Sequence, residues 1–262
     1  MNQKEFNLRP LWDELLRIYE VISEICRNHS ICFYANGGTM LGAIRCQGFI
    51  PWDDDLDLYM PRKEYERFLH FAQKELPKGM AWRSIEVDSK YNLLFGKVVI
   101  TQEDIVKRIE KVTGLVLSGG IYIDIFPLDG LPSSRIGQFL FCVKRGLYRR
   151  AVSGRAWWGR LLFGFSKNRQ QNLLKFQEWY ASRNYEKCSS IGSVSPYDSY
   201  HTPQRWIFKR EWFNGVSLRT FDRVEIPVPI GYDNILKGQF GDYMKLPPET
   251  SRVPSHSVIG NS

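Results

Sequence analysis

The chain has 262 residues, of which 43% are hydrophobic and 24% charged, with a formal net charge of +8. That length suffices for one large domain or two modest ones, and the composition is ordinary for a soluble globular protein. No run of about 18 uncharged apolar residues occurs, which argues against a membrane span, and the opening MNQKEFNLRPLWDELLRIYE lacks the basic-then-apolar order of a signal peptide.

In chain order, Leu11, Leu15, Ile18, Ile22 and Ile25 recur at helical spacing and predict an amphipathic helix. ICFYA (31–35) predicts a short strand that ends at Asn36-Gly37-Gly38. Thr39 is then placed to cap a helix through TMLGAIR. Residues 48–52 predict a loop, and DLDLYM (55–60) alternates acidic and apolar residues as a half-buried strand does. Pro61 opens a further helix, PRKEYERFLHFAQKEL, where proline is tolerated in the first turn. Strands are expected at NLLFGKVVI (92–100) and GGIYIDIFPLDG (119–130), and helices at 133–150 and 168–184. A short helix and a proline-stiffened ordered tail follow. The expectation is an α+β fold: a small mixed sheet early in the chain, flanked by helices, then a helical C-terminal half.

Five cysteines, Cys26, Cys32, Cys46, Cys142 and Cys188, are odd in number and contain no C-x-x-C pair. Free thiols in a reducing, cytosolic compartment are therefore expected. The positive charge is concentrated. Between Gly130 and Gln177 there is no acidic residue but there are ten cations, Arg135 the first and Lys175 the last. Without them the chain would be slightly acidic. A basic stretch interleaved with aromatic and leucine residues suits an anionic membrane surface or a polyanion. A solvated helix with its apolar residues packed inward fits equally well, and the pattern alone leaves both open.

Four aspartates crowd positions 53 to 57. On a strand, residues two apart share a face, so Asp55 and Asp57 are expected to project together while Leu56 and Leu58 enter the core. Paired carboxylates repel unless a hard divalent cation lies between them. Mg²⁺ takes one or two carboxylates together with phosphate oxygens. Upstream, Gly37, Gly38 and Thr39 lie where strand gives way to helix, a place suited to close approach by a phosphate. Asp124 interrupts the apolar run GIYIDIFPL. It either joins the carboxylate pair, as ligand or as general base, or faces water at a sheet edge. Lys97, alone in LLFGKVVI, either reaches a phosphate or extends to the surface. Arg45 either contacts phosphates or complements the dipole at its helix end.

These residues carry a resemblance. GGTMLGAIRCQGFIPWDDDLDLYMPR, YIDIFPLDGLP and YDNILKGQFGDYMKLPPETSR, in this order, resemble the LicD family, which includes the fukutin-related glycan phosphotransferases. The likeness runs from the first helix to about Arg252. It implies a nucleotidyltransferase fold akin to the catalytic core of polymerase β, over residues 1–130, with residues 131–262 packed on that core. It also implies transfer of a phospho-alcohol group, typically phosphocholine from CDP-choline, to a sugar hydroxyl of a surface glycan such as lipopolysaccharide, teichoic acid or capsule, or of its lipid-linked precursor. By position, the family's glycine motif falls on Gly37, Gly38 and Thr39. Its acidic motif falls on Asp53, Asp55 and Asp57, and Asp124 takes the place of the third acid. Asp55, Asp57 and Asp124 are then the metal ligands for Mg²⁺ or Mn²⁺, and Gly37, Gly38, Thr39 and Asp53 substrate-binding residues, to which the residue pattern itself adds Arg45 and Lys97 as candidates. Cys46-Gln47 departs from the basic pair that relatives often carry there.

The implied partners are a CDP-alcohol donor and a glycan acceptor, with no nucleic acid, while peripheral contact of the basic segment with an anionic membrane stays open. Two rivals stand beside this reading: nucleotidyl transfer to a small molecule or a nucleic-acid end on the same metal seat, and a non-catalytic protein that binds membranes through the basic segment alone. The four histidines, His29, His70, His201 and His256, do not lie at ligand spacing and are expected to be surface or packing residues, with the role of His256 in the tail left open.

Overall fold

The computed structural model describes residues 7–88, 90–152, 158–193, 205–254 and 258–259. Helix α1 (Arg9–Asn28) opens with a proline in its first turn, and its buried stripe includes Leu11, Leu15, Ile18, Ile22 and Ile25, the five positions whose spacing predicts it. Strand β1 (Tyr34–Ala35) leads into α2 (Gly37–Arg45), followed by β2 (Asp57–Pro61) and α3 (Arg62–Glu75). Next come β3 (Met80–Arg83), β4 (Gly96–Ile100), α4 (Glu103–Thr113), β5 (Leu115–Val116) and β6 (Tyr122–Leu131). The second half holds α5 (Arg135–Val152), α6 (Trp158–Phe163), α7 (Arg169–Ala181), β7 (Ser190–Ser193) and β8 (Ile207–Lys209). A hairpin of β9 (Val216–Phe221) and β10 (Val224–Pro229) precedes α8 (Tyr232–Phe240), and β11 (Val258–Ile259) pairs with β5.

Seven strands form one mixed sheet in the order β1-β2-β6-β4-β3, with β7 and β8 continuing from the far half of β6. Strand β6 is its axis. Along its first half it runs parallel to β2 and antiparallel to β4; from Leu128 to Leu131 it pairs antiparallel with β7. The division expected after residue 130 therefore falls inside a strand. The main core lies around α1, α3 and the sheet and takes in Phe208, Phe221, Ile226 and Leu236 from the second half. A second cluster joins α5 and α7 with Leu131 and Trp206. Among the described residues no helix is long and apolar enough to cross a membrane.

The fold is α+β with a mixed sheet, and the structure amends the expected details. The first strand shrinks to two residues, and the strand expected from residue 55 begins at Asp57. Pairing stops there because Asn36, whose amide donates to the Asp57 carbonyl at 3.0 Å, already turns into α2. Pro61 closes β2 and stands at the N-cap of α3, one position before the first turn. Residues 92–95 lie outside β4. The second half is less helical than expected, since β7 and β8 extend the sheet and β9–β10 add a hairpin. Proline at 227 and 229, normally a sign against a strand, sits on a two-stranded ribbon with few ladder bonds to lose. The turn between β9 and β10 puts Asp222 at φ 56° without a glycine to announce it.

Buried charge fixes α3 to the sheet. Arg62, the first residue of α3, donates from Nε to Asp129 Oδ1 and from NH2 to Asp129 Oδ2, both at 2.7 Å. Asp129 is wholly buried near the end of β6, so this two-pronged contact compensates a charge that would be costly to bury alone.

Candidate active site

The sheet register assembles the site. Asp57 on β2 stands opposite Asp124 on β6, and Lys97 on β4 stands opposite Asp124 on its other side. Residues in register project from the same face, so Asp57, Asp124 and Lys97 form one row across three adjacent strands. Leu56 and Leu58 are fully buried while Asp55 and Asp57 are half-buried, which is the alternation the sequence predicts. The Lys97 ammonium lies 3.1 Å from Asp124 Oδ1 and 3.5 Å from the centre of the Tyr122 ring. Lys97 therefore reaches neither the open surface nor free space beyond the row: its charge is spent on the acid beside it and on the electron-rich ring face.

The clustering of carboxylates leaves an electrostatic mark. Asp57 is held well above the usual carboxylate range, first by burial, then by the charges of Asp55, Asp124 and Asp53, with Lys97 acting in the opposite direction. The hydroxyls of Tyr122 and Tyr91 are both pushed up, again by burial first and then by Asp124. The four carboxylates at 53, 55, 57 and 124 thus share one electrostatic site. Neither tyrosine was expected there. Tyr122 is legible in retrospect, two residues before Asp124 and hence on its face of β6; Tyr91 comes from a loop, with no periodicity to announce it.

The glycine turn is bonded directly onto the acidic strand. Thr39 does not cap α2; its hydroxyl accepts the Asp57 amide at 2.8 Å, and Asn36, at the capping position, makes no side-chain cap bond. The start of α2 is therefore pinned beside Asp57, and first-turn amides have no intrahelical acceptor by geometry. Gly37 adopts φ 49°, the left-handed region that glycine enters without penalty. A Cβ on Gly38 would lie 2.7 Å from Asp53 Oδ2, so glycine is needed there for the carboxylate to approach the backbone. Asp53 is held in turn by the Trp12 indole, which donates to its carbonyl at 2.8 Å.

An open cleft of about 830 Å³ adjoins this turn, with Gly38 and Asp53 at one end and Tyr243, Lys245 and Pro247 along the tail. Arg45 lines it and donates to the Tyr243 carbonyl at 3.0 Å, tying α2 to the GDYMKLPP segment. Trp52 forms part of the wall, with the Arg252 guanidinium 5.6 Å from its ring centre. The nine expected site residues thus fall into a row (Asp57, Asp124, Lys97), a neighbouring acidic loop (Asp53, Asp55), a glycine turn (Gly37, Gly38, Thr39) and a cleft wall (Arg45).

Among the described residues, no three histidine, cysteine or carboxylate side chains are drawn into a ready-made metal site. The donor set nevertheless suits a hard cation: oxygen donors only, partly buried and mutually repelling. Mg²⁺ commonly takes one or two carboxylates and completes its shell with water and phosphate oxygens. Neither described histidine takes part. His29 lies 2.7 Å from Glu75 and stacks on Phe71, and His70 lies against Lys74; His201 and His256 lie outside the described residues.

Comparison with known proteins places the whole chain rather than single residues. The family description "LicD/FKTN/FKRP, nucleotidyltransferase domain" matches residues 30–129, from just before β1 to Asp129 on β6. The lipopolysaccharide cholinephosphotransferase LicD of Haemophilus influenzae is 31% identical over an alignment covering 97% of each chain. The chain belongs to the LicD family. A shorter match, 38% identical over 61 residues, joins it to the uncharacterized protein RT0683 of Rickettsia typhi and covers 22% of this chain. The LicD-matched segment contains the acidic row, Lys97 and the glycine turn. The cleft wall formed by the tail lies beyond that segment but within the stretch aligned with the Haemophilus protein.

Proposed function

We propose that this LicD-family chain is a phosphotransferase that moves phosphocholine, from CDP-choline, onto a sugar hydroxyl of a lipopolysaccharide-type glycan or its lipid-linked precursor. The observation that carries this reading is the row Asp57–Asp124–Lys97 set against an uncapped glycine turn. In support, it sets carboxylates suited to a divalent ion beside a turn whose backbone amides suit phosphates, and a direct transfer of this kind needs no side-chain nucleophile. The near full-length relative named a cholinephosphotransferase supplies the head group.

In this reading Asp55 and Asp57, with Asp124 at the neighbouring register position, would hold Mg²⁺ or Mn²⁺. Such an ion supplies neutralisation of charge on the donor's diphosphate when bound. The amides of Gly37, Gly38 and Thr39 orient the phosphates, and the cleft lined by Arg45, Trp52 and Tyr243 receives the remainder of the donor. Asp124 takes the proton of the acceptor hydroxyl. The hydroxyl oxygen forms a bond to the phosphorus next to choline, the bond from that phosphorus to the bridging oxygen breaks, and CMP leaves with the electron pair.

Incubation with a panel of CDP-alcohols, Mg²⁺ and a glycan acceptor tests this. CMP release that depends on CDP-choline and is abolished in Asp57→Asn supports it. Pyrophosphate release from a nucleoside triphosphate would instead favour nucleotidyl transfer on the same fold. Turnover unchanged by Asp57→Asn would remove the proposed site.

A further inference from the structure

Helix α5 has two apolar faces. One carries Phe141, Cys142 and Gly146 into the second core cluster and against α7. The other carries Ile136, Phe139, Leu140, Val143 and Leu147, spaced i, i+3, i+4, i+7 and i+11, and all of them are exposed, Ile136 at 75% and Phe139 at 67%. At 100° per residue these five converge on the side of the helix opposite the buried one. On α6, the neighbour in sequence and in space, Leu161 and Leu162 are exposed at 77% and 68%. A contiguous apolar stripe of this kind marks an interaction surface.

Its electrostatic surroundings select the occupant. No acidic residue occurs from Leu131 to Gln177, and exposed Arg135, Arg150, Lys167 and Arg169 belong to the same segment. Arg145 does not contribute, since it is buried with its guanidinium 4.1 Å from the Trp206 ring centre. A second copy docking through a two-fold axis would set this cation-only segment against itself. A polynucleotide would use the cations but leave a largely aliphatic stripe wet. A bilayer with anionic headgroups uses both at once.

We infer that the outer face of α5, together with the exposed Leu161 and Leu162 of the adjoining α6, is a docking surface for an anionic lipid bilayer. The protein lies on the membrane with Phe139 and Leu140 in the interface and the cations among the headgroups. The inference does not depend on the transferase reading.

The full chain is mixed with vesicles of equal parts phosphatidylglycerol and phosphatidylcholine, or of phosphatidylcholine alone, and bound protein is separated by flotation. Binding is expected on the anionic vesicles only, weakening with salt. Phe139→Glu with Leu140→Glu should lower it at least tenfold, with the melting temperature unchanged, because both side chains are exposed. Arg135→Gln with Arg150→Gln should lower it by roughly fivefold per charge. Absence of binding to anionic vesicles, or wild-type binding by either double variant, overturns the inference. So does a dimer in size-exclusion chromatography that Phe139→Glu with Leu140→Glu converts to monomer, which would make a second copy the occupant.

Discussion

Replacing Asp57 by asparagine should disable the enzyme and stabilise the fold. Asp57 and Asp124 occupy partner positions on neighbouring strands, which places their Cβ atoms about 5 Å apart with both side chains on one face. Two unit charges at that distance repel by about 3 kcal/mol at an effective dielectric near 20. Asp55 and Asp53 add to this, and Lys97 offsets part of it. A net gain of about 1–2 kcal/mol for Asp57→Asn follows, or a rise of roughly 2–8 °C in melting temperature for a chain of this size. The gain depends on pH in a defined direction. Native Asp57 keeps its proton to higher pH than in the unfolded chain, so its ionisation costs stability as pH rises from the ordinary carboxylate value to the native one. Asparagine has no such cost. The difference between variant and wild type should be full above the native value and close as pH falls toward the ordinary one. Differential scanning calorimetry in the presence of EDTA measures it. A variant that melts lower than wild type, or a difference that ignores pH, would refute the electrostatic account of this site.

Lys97→Met should destabilise the divalent-free protein, by about 1–3 kcal/mol if the 3.1 Å contact to Asp124 is worth what a partly buried ion pair usually is. Mg²⁺ should restore more of the melting temperature to this variant than it adds to wild type. Asp129→Ala leaves the Arg62 guanidinium buried without its two-pronged acceptor and should cost about 3–5 kcal/mol, seen as a fall of roughly 6–20 °C in thermal melts without a change in metal dependence. Gly38→Ala forces the Asp53 carboxylate from its place 2.7 Å from the new methyl group. Stability should fall by about 1 kcal/mol, while CMP release from CDP-choline should fall at least tenfold. Equal activity in Gly38→Ala would mean that the turn does not hold the donor.

What could be read from the chain beforehand follows from the range of the forces involved. Period-two alternation in DLDLYM and a lone acid in GIYIDIFPL are local patterns, and they led to Asp55, Asp57 and Asp124. That Asp124 lies between Asp57 and Lys97 is a matter of register between strands, which no local pattern encodes; Lys97 could be described in advance only as a cation in an apolar run. Thr39 was misjudged for a related reason. Near a helix start its hydroxyl suits a cap, but a strand 18 residues later supplies a better donor. The β9–β10 hairpin stayed hidden because its turn uses Asp222 in place of glycine and its second strand carries two prolines. The basic segment was legible as charge, but not as a surface: only the structure separates the face of α5 that is packed from the face that is bare, and only it withdraws Arg145 into the interior.

Strand β6 has a practical corollary for anyone trimming the protein. Its first half carries Asp124, and its second half is clasped by β7, which arrives some sixty residues later in the chain. A fragment cut after residue 130 would keep the carboxylates at 53, 55, 57 and 124 yet present the rear of β6 as a raw, sticky edge beside the Arg62–Asp129 contact. Such a piece should clump rather than work, and useful shortening has to begin from the ends of the chain.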